Sequence, residues 1–539
     1  MREENERTER RILCIFPHYE PALGTFQFAY DVSAGVCAFM PPQGMLVIAA
    51  AVPRGWRVRF VDENIAPAGD ADFAWADAVF LSGMHVQRRQ INQICVRAHR
   101  HGKPVALGGP SVSASPEFYP DVDYLHIGEL GDATEDLFAR LASDCARPPR
   151  QIRFETKERL PLDDFPIPAY ELVDLRRYFL GSIQFSSGCP YTCEFCDIPG
   201  LYGRVPRLKS PQRILAELDK LSACGLRSAC YFVDDNFIAN RRALRELLPH
   251  LVAWQEKNRF PFVFAFEATL NIAKYDQLLE QLRAAYFTTI FCGVETPEAD
   301  SLHAISKDQN MMLPIAEAVR RLNGKGLEVV AGVIMGLDAD GPQTLERIIA
   351  FIEDTQIPML TLNLLQALPR SPLWDRLTSE NRLSADEARE SNVVFKRPYE
   401  DVVAEFRKCL AYAYEPARLF ARFAYQSEAT YAHRRQRVYG QITAREVVRG
   451  LRMMASIVWK MGVLADYRRV FWAYAWPRLK AGKIEEVISA SVVSRHLIAY
   501  ARKACAGELN ASHYSEKLRG RAGGGTGGGR VAKLLGYSS

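Results

Sequence analysis

The stretch Gly188-Cys189-Pro190-Tyr191-Thr192-Cys193-Glu194-Phe195-Cys196 decides how the rest of the chain is interpreted. Its three cysteines are spaced C-x3-C-x2-C and follow a short run, Ser182–Ser186, that is typical of a strand. A loop this short can bring three thiolates to one iron–sulfur cluster and leave one iron of a four-iron cluster open to a substrate. The alternatives are a structural zinc loop or three buried cysteines, although zinc motifs usually pair C-x2-C units and add a fourth ligand.

Length and composition set limits around this loop. The 539 residues are enough for two to four domains with cores of their own, and 48% hydrophobic with 24% charged residues is ordinary for a soluble protein. The twelve cysteines are scattered outside the loop, which fits a reducing compartment better than a disulfide framework. The charged segment 1–10 lacks a signal-like apolar core, and no apolar stretch reaches the ~18 residues of a membrane span. We therefore expect a cytoplasmic protein, with peripheral contact to the inner membrane left open.

Residues 11–150 alternate short apolar runs with helix-like segments. The predicted strands are Arg11–Pro17, Arg57–Asp62, Ala78–Gly83, Pro104–Pro110 and Tyr124–Glu129. This alternation predicts a doubly wound parallel sheet, which binds ligands at the carboxyl ends of its strands. Those ends carry small residues that let a flat or long ligand approach the backbone, together with one acid: Ser82, Gly83, Gly108, Gly109, Gly128 and Glu129. From this domain alone, cobalamin, another nucleotide or no ligand fits the pattern.

A proline-rich, charged linker at residues 151–175 leads into residues 176–380. Six apolar runs predict strands there: Ser182–Ser186, Ala229–Phe237, Phe262–Ala268, Thr289–Thr296, Glu328–Leu337 and Met359–Leu365. Six strands spaced by helices predict a partial (β/α)6 barrel, in which polar residues at the carboxyl strand ends line the site. The candidates are Asp234, Asp235, Asn236, Glu267 and Glu295. Each carboxylate could instead neutralise a nearby Lys or Arg.

A family resemblance joins these observations. The cysteine spacing, with an aromatic residue directly before Cys196, resembles the signature of the radical SAM superfamily. The segment from Cys196 to Pro211 is similar to a narrower group, the cobalamin-binding radical SAM proteins that include the hopanoid C-2 methylases. The resemblance covers about residues 10–500. It implies a [4Fe-4S] cluster on the three cysteines, with S-adenosylmethionine and cobalamin as further cofactors.

The resemblance also implies roles for the strand-end residues. Asp234-Asp235-Asn236 occupies the place that contacts the methionyl group of S-adenosylmethionine, and Glu267 and Glu295 resemble ribose-side or methionyl-side residues. Lys307 matches a position that recurs in the family, without an assigned role. Cys224, Cys230 and Cys292 are expected to be core residues rather than extra ligands.

For cobalamin, the family places the nucleotide tail along the first sheet. The D-x-H-x-x-G motif that supplies a histidine to cobalt in many cobalamin proteins is absent, so cobalamin is expected to bind without that ligand. His18 is a candidate for a position near cobalt, and a surface or core role is the alternative. The long loop from Gly24 to Gly44 is expected to cover the corrin face, because loops of this length are usually functional or disordered.

Residues 381–515 are predicted to form a helical domain, followed by a flexible glycine-rich tail at 516–539. Residues 401–539 hold 24 Lys/Arg and 10 Asp/Glu, a net charge of +14, whereas residues 1–400 have a net charge of −9. The helices from Val447 to Leu479 mix aromatic with basic residues, a composition that suits a membrane interface. Packing of ordinary helices on the barrel explains the same pattern.

The predicted function is cobalamin-dependent radical SAM methylation of an unactivated carbon, with a hopanoid as the first substrate. A lipid-like or other small-molecule substrate and an electron donor such as a flavodoxin or ferredoxin are the expected partners, without nucleic acid. One alternative is a radical methylase or cyclase of another natural product. A tRNA-modifying enzyme would be expected to carry an RNA-binding module, and we recognise none in the sequence. A non-catalytic corrinoid sensor would have no use for the cysteine triad.

Overall fold

The computed structural model describes residues 9–226, 229–384, 386, 389–435 and 444–509. The predicted tail at 516–539 lies outside these residues. Within them, the protein has two six-stranded parallel sheets flanked by helices, followed by a group of C-terminal helices. The predicted α/β architecture is therefore confirmed.

The first sheet has the strand order β2-β1-β3-β4-β5-β6, and every neighbouring pair is parallel. Its strands are β1 Arg11–Phe16, β2 Arg57–Asp62, β3 Ala78–Ser82, β4 Val105–Gly108, β5 Tyr124–Ile127 and β6 Ile152–Glu155. Its helices are α1 Gln43–Ala51, α2 Asp70–Trp75, α3 Arg88–Arg100, α4 Pro110–Ala114 and α5 Asp132–Ser143. Apolar residues are buried on both faces, with Leu13 in one core and Ile12 in the other, as a doubly wound sheet requires. The strand order reverses between β1 and β3, where such sheets bind ligands.

Strand β6 lies in the stretch for which we predicted only a linker. Its four residues, Ile152–Glu155, pair in parallel with β5 at the edge of the sheet. Ile152 and Phe154 are half-buried while Arg153 and Glu155 are exposed, so one face only is covered. This short edge strand carries too little apolar sequence to stand out among the neighbouring prolines and charges.

The second sheet has the sequential order β7-β10-β11-β12-β13-β14, all parallel, which is the predicted partial (β/α)6 barrel. Its strands are β7 Gly181–Ile183, β10 Ala229–Phe232, β11 Val263–Glu267, β12 Phe287–Glu295, β13 Glu328–Met335 and β14 Met359–Leu364. A separate antiparallel pair is formed by β8 Ser186–Ser187 and β9 Arg207–Leu208. The helices are α6 Ile198–Tyr202, α7 Pro211–Ala223, α8 Arg241–Lys257, α9 Asp276–Ala284, α10 Ala299–Ala304, α11 Ile315–Gly324, α12 Thr344–Thr355 and α13 Pro372–Ser379.

The C-terminal helices pack against the second sheet rather than forming a detached body. They are α14 Tyr399–Ala413, α15 Pro416–Ala429, α16 Ala444–Ile457, α17 Arg468–Lys480 and α18 Ile484–Cys505, with a π-helical segment Val458–Leu464 after α16. One apolar core contains residues of the sheet, of these helices and of the loop after β1, including Leu23, Ala29 and Val32. In the part of the chain that the structure describes, no helix combines the length and apolar character that crossing a bilayer requires.

The long loop after β1 is held by the last helix. Phe26 stacks on His496 of α18 with ring centroids 5.1 Å apart, and His496 Nε2 lies 3.0 Å from the carbonyl oxygen of Ala22. Burial lowers the pKa of His496 to about 4, although the carbonyl contacts oppose this. The neutral ring can therefore donate Nε2–H to the loop backbone. An ion pair of Asp31 with Lys460 (2.8 Å) fixes the middle of the loop.

Candidate active site where two sheets meet

The cysteine loop is fixed by backbone hydrogen bonds to distant segments. The amide of Cys189 donates to the carbonyl of Gly203 (3.2 Å), and the amide of Glu194 donates to the carbonyl of Ile305 (3.0 Å). Gly188 begins the loop with a φ of +96°, and a Cβ there would lie 2.9 Å from the carbonyl oxygen of Gly203. Only glycine fits this tight start. The loop therefore holds its conformation through the packing around it.

Amide side chains reach two of the three thiols. Gln309 Nε2 lies 3.5 Å from the sulfur of Cys193, and Asn236 Nδ2 lies 4.0 Å from that of Cys189. Burial raises the pKa of Cys189, and it raises that of Cys196 to about 12. Metal ligation requires thiolates, so binding of metal to these cysteines must release protons.

The donor set fits a cluster rather than a single ion. No group of three or more His, Cys, Asp or Glu side chains within the described ranges is arranged to hold one metal ion. A four-iron cluster does not require that closeness, because each thiolate binds a different iron. The amides of Asn236 and Gln309 are the kind of outer donors that stabilise ligating thiolates.

The acidic pair after β10 organises the entrance to the loop. Asp234 accepts hydrogen bonds from the Phe185 amide (3.1 Å), the Ser186 hydroxyl (2.5 Å) and the Ser186 amide. These bonds take the backbone out of the β7 ladder, which ends at Ile183 instead of at the predicted Ser186. Asp235 accepts from the amide of Gly188 at 2.8 Å. Burial raises the pKa of Asp234 to about 7 and that of Asp235 to about 6, against these hydrogen bonds.

The next strand ends carry one protonatable acid and one ion pair. Glu267 accepts a hydrogen bond from the hydroxyl of Tyr231 at 3.1 Å. Glu295 has a φ of +66° and pairs with Lys307 at 2.5 Å, and both residues are buried. Burial lowers the pKa of Lys307, but Glu295 and Cys193 outweigh it and the net shift is upward. Lys307 Nζ also lies 5.5 Å from the ring centroid of Phe195, inside the cysteine loop.

Two buried amide oxygens at these strand ends lack a partner. Asn236 Oδ1 and Asn310 Oδ1 make no hydrogen bond to any residue that the structure describes. Asn310 Nδ2 donates a hydrogen bond to the carbonyl of Gly293 at 2.8 Å, and this bond fixes the position of Asn310 Oδ1. Buried acceptors are costly to leave unsatisfied, and a ligand with N–H or O–H groups would satisfy them.

The structure places the candidate residues at the carboxyl ends of the first sheet's strands next to one another. A Cβ on Gly109, whose φ is +95°, would lie 2.4 Å from Ser82 Oγ and 3.6 Å from the backbone of Gly83. The amide of Gly128 donates to Ser113 Oγ at 2.9 Å. Gly108 ends β4 beside them. The carboxyl ends of β3, β4 and β5 therefore lie side by side, with their glycines in close contact with neighbouring residues. His18 lies half-buried in the loop after β1.

Glu129 differs from its glycine neighbours because its carboxylate already has partners. It forms an ion pair with Arg207 of β9, and Arg159 lies 3.3 Å away. Arg207 also donates to Ser187 Oγ (3.1 Å), two residues before Cys189. The sequence does not reveal this link, because the partners are 78 positions apart.

A second link joins the first sheet to the cysteine loop. His85, just after β3, lies with Nε2 3.1 Å from the carboxylate of Asp197, and both side chains are buried. Ser111 Oγ lies 3.4 Å from His85 Nδ1 and 2.5 Å from the hydroxyl of Tyr119. Asp197 directly follows Cys196. The carboxyl edges of the two sheets therefore contact each other next to the loop.

A cavity of about 310 Å³ lies beside the cysteine loop. Its walls include Phe195 of the loop, Leu337 after β13 and Leu365 after β14, with Arg376 at the rim. Arg376 is held by Glu194 at 2.5 Å and Asp338 at 2.8 Å. The lining therefore combines apolar side chains with a cluster of charged ones, Glu194, Asp338, Arg376 and Lys396. Small-molecule sites of this size likewise combine an apolar lining with polar groups that fix orientation.

Comparison with known proteins agrees with this geometry. Sequence profiles of the B12 binding domain and the Radical SAM superfamily match residues 32–138 and 183–352, and a domain of unknown function (DUF4070) matches 371–510. The chain is 56% identical over 520 residues to the hopanoid C-2 methylase of Rhodopseudomonas palustris (strain TIE-1), covering 96% of this chain and 99% of that protein. The chain belongs to the cobalamin-binding radical SAM methyltransferases. An uncharacterized methyltransferase of Synechocystis sp. is 34% identical, covering 91% of this chain and 92% of that protein.

Solved structures of cobalamin-binding radical SAM enzymes share the fold of this methyltransferase. The cobalamin-dependent S-adenosylmethionine radical enzyme OxsB superposes with a TM-score of 0.58 at 13% identity, covering 95% of this chain and 83% of that chain. The radical S-adenosylmethionine methyltransferase TsrM from Kitasatospora setae, solved with cobalamin and a [4Fe-4S] cluster, gives a TM-score of 0.53 at 16% identity, covering 69% of this chain and 75% of that chain. A [4Fe-4S] cluster, S-adenosylmethionine and cobalamin are the cofactors of this methyltransferase, as predicted.

The residues of this methyltransferase fit those groups. The three cysteines with their amide donors suit the cluster, and the unsatisfied oxygens of Asn236 and Asn310 suit S-adenosylmethionine, which carries an ammonium group and ribose hydroxyls. The carboxyl ends of β3, β4 and β5, beside the switch point of the first sheet, lie where such sheets bind ligands and suit a long ligand such as the cobalamin tail. The specific roles of Asp234, Glu267, Glu295 and the edge residues stay predictions.

Glu267 gives a measurable pH dependence. Because burial raises its pKa to about 7 from 4.5, the folded chain keeps a proton that the unfolded chain releases. Its contribution to the free energy of unfolding should therefore fall as pH rises from 4.5 to 7, by roughly 3 kcal/mol. Glu267→Gln should remove this fall and be more stable than the parent above pH 7, as measured by urea unfolding of cofactor-free protein at several pH values.

The matched control is Glu428→Gln, which changes an exposed glutamate on α15 and should leave the pH profile of the parent unchanged. A Glu267→Gln variant with the parent's slope between pH 4.5 and 7 would show that the buried carboxyl is ionised in the folded protein.

Proposed function

We propose that this methyltransferase transfers a methyl group to C-2 of a hopanoid. The observation that carries the proposal is the 56% identity to a hopanoid C-2 methylase along 96% of the chain, because it extends through the C-terminal helices as well as both sheets. When bound, the cluster and S-adenosylmethionine supply the radical that takes a hydrogen atom from the substrate, and cobalamin carries the methyl group.

The chain's own residues position these groups. In the proposal, Cys189, Cys193 and Cys196 hold the cluster, and Asn236 and Asn310 accept hydrogen bonds from S-adenosylmethionine. Phe195, Leu337 and Leu365 offer the apolar wall beside it.

The first-sheet edge takes the cobalamin tail in this proposal. The residues proposed to line the tail are Ser82, Gly83, Gly108, Gly109 and Gly128. The pairs Glu129–Arg207 and His85–Asp197 keep this edge against the cysteine loop.

The loop after β1 limits access of water in the proposed site. It leaves the carboxyl end of β1 at the strand-order switch and is held by His496 and Lys460. Excluding water protects reactive intermediates and strengthens the polar contacts inside. An electron donor of the flavodoxin or ferredoxin type would reduce the cluster from outside.

The test is lipid analysis after expression in a bacterium that makes hopanoids without methylating them. The parent chain should give 2-methylhopanoids, detected by gas chromatography with mass spectrometry, and Cys193→Ala should give none. Hopanoids methylated at another carbon would overturn the assignment to C-2. Unmethylated hopanoids, with active cluster and bound cobalamin, would point to another natural product.

A further inference from the structure

The outer face of the C-terminal hairpin is unusually apolar for a solvent-exposed surface. Half of the large apolar side chains that are exposed in the described chain lie within residues 447–484. Among them are Leu451 (65% exposed), Leu464 (62%) and the tryptophans Trp459 (57%) and Trp476 (54%). Exposed apolar patches of this kind mark interaction sites.

These residues follow the periodicity of one helix face. Val447, Leu451 and Ala455 recur every four residues on α16 and are exposed, and the row continues to Trp459 and Val463. The opposite side of the hairpin is packed: Ile457, Met461, Phe471 and Tyr474 are buried. The hairpin therefore has one apolar face packed in the core and a second apolar face that is exposed.

Helix α17 contributes to the same face. The indole Nε1 of Trp472 donates to the carbonyl of Gly462 at 2.9 Å, and any Cβ on Gly462 would lie 2.8 Å from that ring. Trp476 lies one turn beyond Trp472, with ring centroids 6.4 Å apart. Trp459 belongs to the same π-helical segment as Gly462, so both exposed indoles are carried by this packed hairpin.

The hairpin has a strong excess of positive charge. Residues 444–483 contain nine Lys/Arg and two Asp/Glu. Arg449, Arg452 and Arg469 are exposed and form no ion pair with the residues that the structure describes, while Asp466 is paired with Arg502 at 2.8 Å. Lys480 Nζ lies 5.1 Å from the ring centroid of Trp476. Basic residues beside exposed indoles and aliphatic side chains complement an anionic lipid surface.

A cleft of about 670 Å³ begins at this surface. Val448, Arg449 and Arg452 of α16 form one wall, and Tyr30, Asp31 and Ala34 of the loop after β1 form the other. That loop starts at the carboxyl edge of the first sheet, where we propose cobalamin. The cleft therefore connects the apolar face with the loop that borders the proposed site.

We propose that the face made by Val447, Leu451, Trp459, Leu464 and Trp476 docks on an anionic lipid bilayer, and that the cleft beside Val448 takes up the lipid substrate. The proposal rests on the proposed function, because a hopanoid must leave a membrane to reach the site. A peripheral contact, rather than a span, agrees with the basic residues beside this face and with the amphipathic pattern of α16. A water-soluble substrate would need no such face.

The experiment is sedimentation of the reconstituted full-length enzyme with vesicles of phosphatidylcholine, with or without phosphatidylglycerol. The parent should bind the anionic vesicles, and Leu451→Ser/Trp459→Ser should lower the partition coefficient at least about tenfold. Arg449→Gln/Arg452→Gln/Arg469→Gln should weaken binding about 100-fold, and only to anionic vesicles. Val96→Ser on α3 removes an exposed apolar residue (47% exposed) elsewhere and should bind as the parent does.

The proposal is overturned if the parent does not bind anionic vesicles, or if both variants bind as tightly as the parent. A halved mass of Leu451→Ser/Trp459→Ser in light scattering would assign the face to a second copy of the chain. Ala34→Trp, which narrows the cleft, should raise the KM for vesicle-borne hopanoid about tenfold while vesicle binding persists; an unchanged KM removes the cleft from the proposal. Vesicle binding requires no substrate, so binding without hopanoid methylation would refute only the proposed function.

Discussion

Replacing Cys193 with alanine will abolish release of 5′-deoxyadenosine from S-adenosylmethionine. Cys193 is buried in the middle of the loop, and Gln309 donates toward its sulfur at 3.5 Å. Without this thiolate, two protein ligands remain for the cluster, and iron–sulfur clusters depend on their thiolates for retention. The measurement is 5′-deoxyadenosine by liquid chromatography with mass spectrometry, together with iron and sulfide content after anaerobic reconstitution.

The matched control is Cys224→Ala, a half-buried cysteine at the end of α7 outside the loop. It should keep the iron content and the product of the parent. Gln309→Leu leaves all three thiolates and should lower activity by about 10- to 100-fold, as losses of outer donors do at metal centres. Retained 5′-deoxyadenosine release in Cys193→Ala would refute the assignment of the loop.

Breaking the Lys307–Glu295 pair will destabilise the folded protein strongly. Lys307→Met leaves the Glu295 carboxylate buried without its 2.5 Å partner, and an uncompensated buried charge costs about 3–5 kcal/mol. The double variant Lys307→Met/Glu295→Gln removes both charges and should recover most of the loss. Urea unfolding of the three proteins measures these differences.

An exposed pair supplies the control for this experiment. Lys325 contacts Glu280 at 2.7 Å, yet both side chains are substantially exposed, so Lys325→Met should cost no more than about 1 kcal/mol. A loss of only about 1 kcal/mol in Lys307→Met, or a double variant less stable than Lys307→Met, would show that Lys307 does not offset the buried charge of Glu295. The side chains of Glu295 and Lys307 lie close to the strand because Gly293 has no side chain. The same variants should also be tested for S-adenosylmethionine binding.

Eleven strands of the two sheets were predicted correctly because each is an apolar run bounded by turn residues. The prediction missed β6, whose alternating Ile152-Arg153-Phe154-Glu155 is an edge strand with one covered face. The cysteine loop was predicted from local spacing alone. Its partners Gln309 and His85 were not, because they are brought to Cys193 and Asp197 by the packing of whole sheets.

The candidate site shows the same division. Their positions at carboxyl strand ends identified Asp234 and Glu129 as candidates. The sequence did not reveal that Asp234 accepts hydrogen bonds from backbone amides or that Glu129 forms an ion pair with Arg207. The C-terminal helices were predicted from their pattern. Their packing on the second sheet is observed, and their contact with a membrane stays a proposal. Phe471 and Tyr474 pack inside, whereas Trp459 and Trp476 face outward.

The contacts between the sheets have a consequence for exchanging parts of this enzyme. Family profiles divide the chain into separate segments, but Leu23, Ala29 and Val32, which lie in the loop that leaves β1 of the first sheet, belong to the core of the second sheet. A fragment ending at the linker would expose those residues and leave Glu129 without Arg207, and the complementary fragment would lose the same contacts. The two halves therefore cannot be treated as interchangeable modules: a chimera that takes its cobalamin sheet from one relative and its barrel from another must also transfer the loop after β1 and the helix that holds it.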